Sequence, residues 1–152
     1  MAPLWALTTK QNLIKVQSAQ TRLLRQLDWK GKKRRTEITN RQEMFESWNW
    51  LNVKQITDSA IVNFVRSAAN NETSNMLNKG FRFRDNNTTR MENVFKIETH
   101  DTKNWTTKNF FDIGKNLFNN LPVNIRLQNG NKKCFKSEVK TWVKTINLLE
   151  EH

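Results

Sequence analysis

The last third of the chain constrains the fold most, because it has the pattern of two amphipathic helices joined by a helix-breaking segment. Pro122 and the Asn129-Gly130-Asn131 turn separate helices predicted near residues 107–121 and 132–149. Phe135 and Trp142 lie seven residues apart, two turns along one helical face. We expect this face to pack against the preceding helix and its connection. The residues in that contact are Phe135, Val139, Trp142, Ile146, Leu117, Leu121 and Ile125.

Three more helices are predicted upstream, over residues 9–28, 40–48 and 53–70. Asn52 and Gln55 have the spacing of a capping box at the start of the third. The apolar stripes of the first and third helices are expected to be buried. Their members are Leu13, Val16, Gln20, Leu23, Leu24 and Leu27 in the first, and Ile56, Ala60, Phe64 and Val65 in the third.

The helical pattern is lost between Asn70 and Asn109, where Asn, Thr, Asp and Gly dominate. A helical turn is predicted at 74–78 and an extended segment at 94–99. The sequence therefore predicts a mainly α fold of five or six amphipathic helices, with a long polar connection and room for one short extended segment.

The predicted organisation has three parts that form one compact unit. Residues 1–79 are a basic N-terminal helical part, residues 80–106 the polar connection, and residues 107–152 the C-terminal helical pair. A chain of 152 residues can bury roughly two thirds of the surface that it exposes when unfolded.

Composition argues against several classes of function. Cys134 is the one cysteine, so an internal disulfide is excluded, and no Cys/His set for zinc is present. We therefore expect no metal and no cofactor. The apolar residues Leu4 to Leu7 are too few for a signal-peptide core, and no apolar run approaches the ~20 residues of a membrane span. We expect an intracellular protein that does not enter a membrane.

An ordered series of motifs runs through nearly the whole chain. Upstream, Pro3-Leu4-Trp5 precedes a helix with spaced glutamines and a Trp-Leu-x-Val-x-Gln segment at residues 50–55. The upstream members are Pro3, Leu4, Trp5, Lys15, Gln17, Gln20, Arg25, Trp50, Leu51, Val53, Gln55, Thr89 and Arg90. The downstream members are Phe110, Phe111, Gly114, Leu117, Phe118, Asn119, Leu121, Pro122, Ile125, Arg126, Phe135, Lys136, Val139, Lys140 and Trp142.

In order and spacing this series resembles the C-terminal region of LINE-type (non-LTR, jockey-like) retrotransposon reverse transcriptases, with Phe118 in place of a usual Trp. The paired palm carboxylates that such enzymes use to hold two metal ions are missing, since no aspartate here is adjacent to another acid. The resemblance implies a chain that does not polymerise by itself, and we expect no enzyme activity.

The net charge of +12 is distributed unevenly along the chain. It is +8 over residues 1–35, −1 over residues 36–79 and +5 over residues 80–152. Such a concentration of cations attracts polyanions by counterion release. The candidate phosphate contacts near the N-terminus are Lys15, Arg22, Arg25, Lys30, Lys32, Lys33, Arg34 and Arg35. The alternatives for the run that ends at Arg35 are a solvated basic loop and a nuclear import signal.

Arg82, Arg84 and Arg90 form a second, weaker basic set around Phe81 and Phe83, with which the first two alternate. Arginine and phenylalanine together can hold single-stranded nucleic acid by charge and stacking, and the alternative is that both phenylalanines anchor the core. Trp50, Phe118 and Trp142 are expected to pack in the core. An exposed aromatic surface that docks another protein is the alternative.

Two functions of different classes follow. The first is a non-catalytic nucleic-acid-binding module that contacts RNA or DNA phosphates, in the nucleus or in a ribonucleoprotein. The second is a domesticated structural subunit, a scaffold in a larger protein or ribonucleoprotein assembly. A fragment of an element with no selected role is a third possibility, and no small-molecule substrate is expected.

Overall fold

Six α-helices and one short antiparallel hairpin make up the described part of the chain. The computed structural model describes residues 10–31, 41–74, 80–84, 95–99 and 105–149. The elements in order are α1 (Lys10–Gly31), α2 (Arg41–Ser47), α3 (Val53–Ala69), β1 (Phe81–Phe83), β2 (Ile97–Thr99), α4 (Trp105–Asn119), α5 (Val123–Leu127), a 3₁₀ turn (Gln128–Gly130) and α6 (Lys132–Leu149). The mainly helical fold with a short extended segment is the one that the sequence predicts.

Asparagines determine both ends of α3. The predicted capping box is confirmed: the Gln55 N–H donates to Asn52 Oδ1 at 2.9 Å, and the Asn52 N–H donates to Gln55 Oε1 at 2.9 Å. At the other end Asn71 adopts a left-handed φ of 57°. The Asn71 N–H donates to Ala68 O and the Glu72 N–H to Ser67 O, at 3.1 and 2.8 Å. These two bonds form a Schellman motif, which satisfies the last carbonyls of the helix.

α3 lies at the centre of the described elements, in contact with α1, α4, α6 and β1. Because neighbours surround it, its buried residues extend over more than half of its circumference. The main core comprises Ile61, Val62, Val65, Ala68, Phe81, Ile97, Phe111, Phe118, Leu121, Ile125, Phe135, Val139 and Val143. The predicted stripe of α3 was wrong in part: Val65 is buried, Ala60 and Phe64 are half-buried, and Ile56 is exposed on the side that no described element covers.

The closing helices pack as the sequence predicts. The rings of Phe118 on α4 and Phe135 on α6 stack with centroids 6.1 Å apart, and both are fully buried. Val139, Leu121 and Ile125 are also buried, and Leu117 and Trp142 pack at the edge of the core. The Ile146 side chain lies outside the described part of the structure. The short helix α5 and the 3₁₀ turn are not predicted by the sequence, in which this stretch was interpreted as a helix-breaking segment between Pro122 and Asn131.

The hairpin packs on α4 through a close contact at Gly114. A Cβ added at this glycine would lie 2.7 Å from Val65 Cγ2 and 3.2 Å from Phe81 Cζ. α4, the hairpin and α3 therefore meet at a point that has no room for a side chain larger than the hydrogen of glycine. At the end of α4, the Asn119 side chain accepts from the Ile97 N–H at 2.8 Å and donates to Ile97 O at 3.0 Å. The Asn119 amide thereby pairs with the strand as another strand would.

α1 is longer than predicted and is rotated about its axis relative to the prediction. Among the side chains of α1 that the structure describes, Thr21 and Leu24 are buried, whereas Val16, Leu23 and Leu27 are exposed. Two glutamines explain this orientation: the Gln20 amide donates to Leu51 O at 2.7 Å, and Gln17 Oε1 accepts from the Val53 N–H at 2.8 Å. Hydrogen bonding to the start of α3, more than apolar burial, determines which face of α1 is inside.

The polar connection contains a strand that the sequence pattern does not predict. Phe81 to Phe83 pair with Ile97 to Thr99 in antiparallel register, and the second of these segments lies within the extended region predicted at 94–99. Val94 lies outside the described residues. So does the predicted helical turn from residue 75 onwards, while Ser74 is not helical.

Candidate nucleic-acid interface

Lys15, Arg22 and Arg25 lie on the solvent face of α1, and all three are exposed. On an ideal helix they project within an arc of about 80° and span about 15 Å of axis. Leu24 lies on roughly the opposite side and Thr21 lies beside Arg25 at the edge of this arc, and both are buried, so the packing of α1 leaves the three cations facing outward. None of the ion pairs among the described residues involves these cations. Their charge is therefore uncompensated within that part of the chain.

The basic run of the sequence begins inside α1. Lys30 belongs to the last turn of this helix, which continues to Gly31. Lys32, Lys33, Arg34 and Arg35 lie outside the described residues. The cationic face of α1 thus precedes the run directly in sequence, and the two sets lie on one continuous stretch of chain.

The hairpin arginines are exposed, but both are paired with one carboxylate. Arg84 Nε lies 2.6 Å from Glu98 Oε1, and Arg82 Nη2 lies 3.6 Å from Glu98 Oε2. The register places Arg82 directly opposite Glu98, where opposite charges attract across strands. The Arg84 hydrogen bond lowers the pKa of the Glu98 carboxyl, and the charges of both arginines lower it further against its partial desolvation. This pairing removes one of the two positive charges that the sequence suggested for phosphate binding.

The phenylalanines that alternate with these arginines face the core. Phe81 is 1% exposed and lies against Phe111 with ring centroids 4.8 Å apart. Phe83 is half-buried and packs edge-on against Phe95 at 5.6 Å. The alternation of side chains across a strand places arginine outside and phenylalanine inside. The interpretation of Phe81 as a stacking group is therefore wrong, and the core alternative applies to it.

Trp50 lies at the surface, although the sequence predicted that it would pack in the core. Phe118 is fully buried and Trp142 packs against the core, but Trp50 is 41% exposed and Trp48 is 42% exposed. Both flank Asn49, which has a left-handed φ of 52°. The Trp50 N–H donates to Phe45 O at 2.8 Å and the Asn49 N–H donates to Glu46 O at 2.9 Å, the two bonds of a Schellman motif. This motif ends α2 and holds the backbone of both tryptophans at the surface.

Sequence reasoning missed a second series of cations, on α6. Lys133, Lys136 and Lys140 are exposed, and Lys144 follows one turn later. Their spacing of three, four and four residues places them on one side of the helix. That spacing is the signal in the sequence, and it is weaker than the dense run near the N-terminus because apolar residues separate the lysines.

The described residues contain no group of three or more His, Cys, Asp and Glu side chains that could hold a metal ion. Cys134 is an exposed thiol in the first turn of α6, and its N–H donates to Asn131 Oδ1 at 3.2 Å. No helix in the described ranges is long and apolar enough to cross a membrane.

No protein-family model, curated protein or solved structure matches this chain.

Proposed function

We propose that this chain is a non-catalytic nucleic-acid-binding module that contacts the phosphates of RNA or DNA. Its resemblance to the C-terminal region of LINE-type reverse transcriptases is part of the same proposal, as is a nuclear or ribonucleoprotein location. The observation behind it is the cationic face of α1: Lys15, Arg22 and Arg25 are exposed and have no ion-pair partner among the described residues.

Electrostatics supports nucleic acid as the partner for this face. Exposed cations that lack a carboxylate partner attract a phosphate backbone by releasing its counterions, whatever the base sequence. The basic run from Lys30 to Arg35 extends the same stretch of chain. Arg82 and Arg84 contribute less, because Glu98 neutralises one of their charges.

Two variants test this function. In the first, Lys15, Arg22 and Arg25 are changed to Gln; in the second, Lys32, Lys33, Arg34 and Arg35 are changed to Gln. Each should weaken binding to RNA or DNA of any sequence. Each should also flatten the plot of log affinity against log salt by about 0.7–0.9 for every phosphate that the variant no longer neutralises.

A matched control removes three cations from separate parts of the chain, by changing Lys54, Lys96 and Lys115 to Gln. If the weaker binding comes from the face of α1, the control retains the salt slope of the parent, whereas an effect of net charge alone would change both alike. If the unsubstituted protein, the parent of these variants, binds no nucleic acid at low salt, the proposal is contradicted. Thermal melting excludes unfolding as the cause of weaker binding.

A second candidate function is a structural subunit of a larger assembly. The observation that favours it is the apolar stripe left on the surface of α1, where Val16, Leu23 and Leu27 are 38%, 56% and 37% exposed. Clustered exposed apolar side chains are typical of surfaces that bind proteins. Purification of the native protein separates the two functions: nucleic acid alone favours the first, and a stoichiometric set of proteins favours the second.

Lack of polymerase activity belongs to the first proposal. Purified chain given a primed RNA template, Mg²⁺ and nucleotides should extend nothing above background. Metal-dependent extension that disappears when one of its own aspartates is replaced would overturn the non-enzyme assignment.

A further inference from the structure

Four lysines form a ridge along α6, which we call the lysine ridge: Lys133, Lys136, Lys140 and Lys144. On an ideal helix they project within an arc of about 80° and span about 16 Å of axis. Phe135, Val139 and Val143 occupy a neighbouring face and are buried to 1% exposure or less. Packing of that face on α3 and α4 therefore fixes the direction in which the ridge points.

The charge of the ridge is uncompensated within the described residues. None of the ion pairs there involves Lys133, Lys136 or Lys140. The acidic residue of α6, Glu138, projects from roughly the opposite side of an ideal helix. Like charges three and four residues apart destabilise a helix, so the ridge does not contribute to folding through its charges. It provides a linear array of positive charge on a rigid element.

The ridge ends at the exposed tryptophans. Lys144 Nζ donates a hydrogen bond to Asn49 Oδ1. Asn49 stands between Trp48 and Trp50, which are 42% and 41% exposed. The Schellman motif at Asn49 fixes this turn, so the residues on either side of the contact point in sequence are the two exposed tryptophans. The hydrogen bond thereby brings the end of the ridge to the segment that carries both indoles, although the bonded residues are 95 positions apart.

We propose that the lysine ridge with Trp48 and Trp50 is a binding surface for single-stranded nucleic acid. This inference rests on the proposed nucleic-acid function and specifies its ligand and a second site. Phosphates of one strand bind along the ridge, and unpaired bases beyond its end stack on the indoles. Proteins that bind single strands combine these two elements, a cationic track and stacking platforms. A duplex can use the cations but not the indoles, because its base faces are already stacked.

The experiment compares a labelled single-stranded oligonucleotide with a duplex of the same sequence, by fluorescence anisotropy across a range of salt concentrations. The first variant changes Lys133, Lys136 and Lys140 to Gln and leaves Lys144, which bonds Asn49. It should bind the single strand at least ~10-fold more weakly, with a log–log salt slope smaller by about 2, since each neutralised phosphate contributes about 0.7 on single strands. The Lys54, Lys96 and Lys115 triple to Gln is the control with matched charge and should retain the parent slope.

The second variant changes Trp48 and Trp50 to Leu, which keeps apolar bulk and removes the indoles. It should weaken single-strand binding about 10-fold for each base that has no stacking partner in the variant, without changing the salt slope or the affinity for duplex. A variant with Phe at positions 48 and 50 should bind the single strand nearly as tightly as the parent, because Phe can also stack on a base. If the tryptophans had only a structural role, the Phe variant would have no such advantage over the Leu variant. Thermal melting checks that each variant is folded.

The outcomes separate this inference from the proposed function. A parent that binds neither oligonucleotide overturns both. A parent that binds while the ridge variant retains full affinity and slope overturns the ridge and leaves the α1 proposal intact. Equal decreases on single strand and duplex in the tryptophan variant, or no decrease at all, overturn single-strand recognition. In the last case the exposed indoles point to a protein partner instead.

Discussion

Arg66 on α3 and Asn129 in the 3₁₀ turn are 63 residues apart in sequence and are joined by two hydrogen bonds. Arg66 Nε donates to Asn129 O at 2.8 Å, and Nη2 donates to the same oxygen. The guanidinium lies 5.5 Å from the centroid of the Phe135 ring, and Nη1 reaches Glu72 at 3.2 Å. A reciprocal amide pair between Asn70 and Asn129, at 2.9 and 3.1 Å, adds to the junction. One buried arginine thus ties the end of α3 to the start of α6.

Replacement of Arg66 should destabilise the described core. Removing the guanidinium leaves the carbonyl oxygen of buried Asn129 without its donors, which costs about 1–3 kcal/mol, whereas the side chain of Glu72 is 35% exposed and its lost ion pair adds little. We expect this decrease for Arg66→Ala in the free energy of unfolding measured with urea. Arg66→Lys should also be destabilised, since an ammonium cannot reproduce the planar fork of donors. Arg22→Ala on the exposed face of α1 is the control, with a change of at most about 0.5 kcal/mol. Parent-like stability of the lysine variant would contradict this role.

Phe135→Ala tests the packing of the closing helices. Phe135 is fully buried and stacked on Phe118, so truncation should cost about 3–5 kcal/mol in the free energy of unfolding. Ser137→Ala, two residues further along and exposed, is the control on the same helix and should change stability by less than about 0.5 kcal/mol. A folded Phe135 variant with an unchanged melting temperature would show that this face does not belong to the core.

Two glycines offer a matched pair of substitutions. Gly114→Ala gains about 1 kcal/mol in helix propensity, but its new methyl would lie 2.7 Å from Val65 Cγ2. Overpacking of a buried site costs about 1–3 kcal/mol, so we expect a net decrease in melting temperature. Gly130→Ala meets no atom within 4 Å and has no positive φ, so it should be neutral or slightly stabilising. Equal melting temperatures for the two variants would place Gly114 in open space and contradict the close contact.

Periodicity located five of the six helices in the described part of the chain, but it misjudged the buried face of α1 and part of that of α3. The ends of α3 could be predicted because Asn52 and Gln55 satisfy each other locally. The orientation of α1 could not, because Gln17 and Gln20 bond to backbone more than thirty residues away. Strand β1 was missed because its alternation of Phe and Arg covers too few residues to indicate a strand, and the strand is completed by its pairing with β2.

Several members of the downstream motif series, from Phe110 to Trp142, have structural roles in this chain. Gly114 permits close packing, Asn119 pairs with Ile97, and Phe118 and Leu121 fill the core. Buried Arg126 donates from Nε to Leu121 O at 3.1 Å. The motif therefore defines how α4 meets its neighbours, whereas the candidate binding residues lie mostly outside it.

The sequence predicts residues of the candidate site only where several cations lie close together along the chain. The cations of α1 were found because they cluster along the chain. The neutralising role of Glu98 depends on strand register, which brings it opposite Arg82 from sixteen residues away. The hydrogen bond between Lys144 and Asn49 joins residues 95 positions apart, which the tertiary fold brings together, and no sequence pattern indicates it.

The stability of the fold should depend on pH through Glu72. Burial raises the pKa of this carboxyl, but the hydrogen bond from Lys132, the charge of Arg66 and the hydrogen bond from Ser67 together lower it below its ordinary value of 4.5. A carboxylate with a lowered pKa in the folded state stabilises that state above its unfolded pKa, and this contribution disappears as pH falls. The Glu72 contribution should therefore be complete above about pH 5 and should decline below pH 4.5.

Glu72→Gln separates this effect from the titration of other groups. The variant should unfold at lower urea than the parent near neutral pH, because the ion pairs with Arg66 and Lys132 are removed. The difference between parent and variant should shrink as pH falls below 4.5, since the parent carboxyl then becomes neutral as well. Glu98, whose pKa is also lowered, contributes with the same sign, so the double change with Glu98→Gln should flatten the acid dependence further. A difference between parent and Glu72→Gln that stays constant from neutral to acidic pH would show that charge at Glu72 does not stabilise the α3–α6 junction.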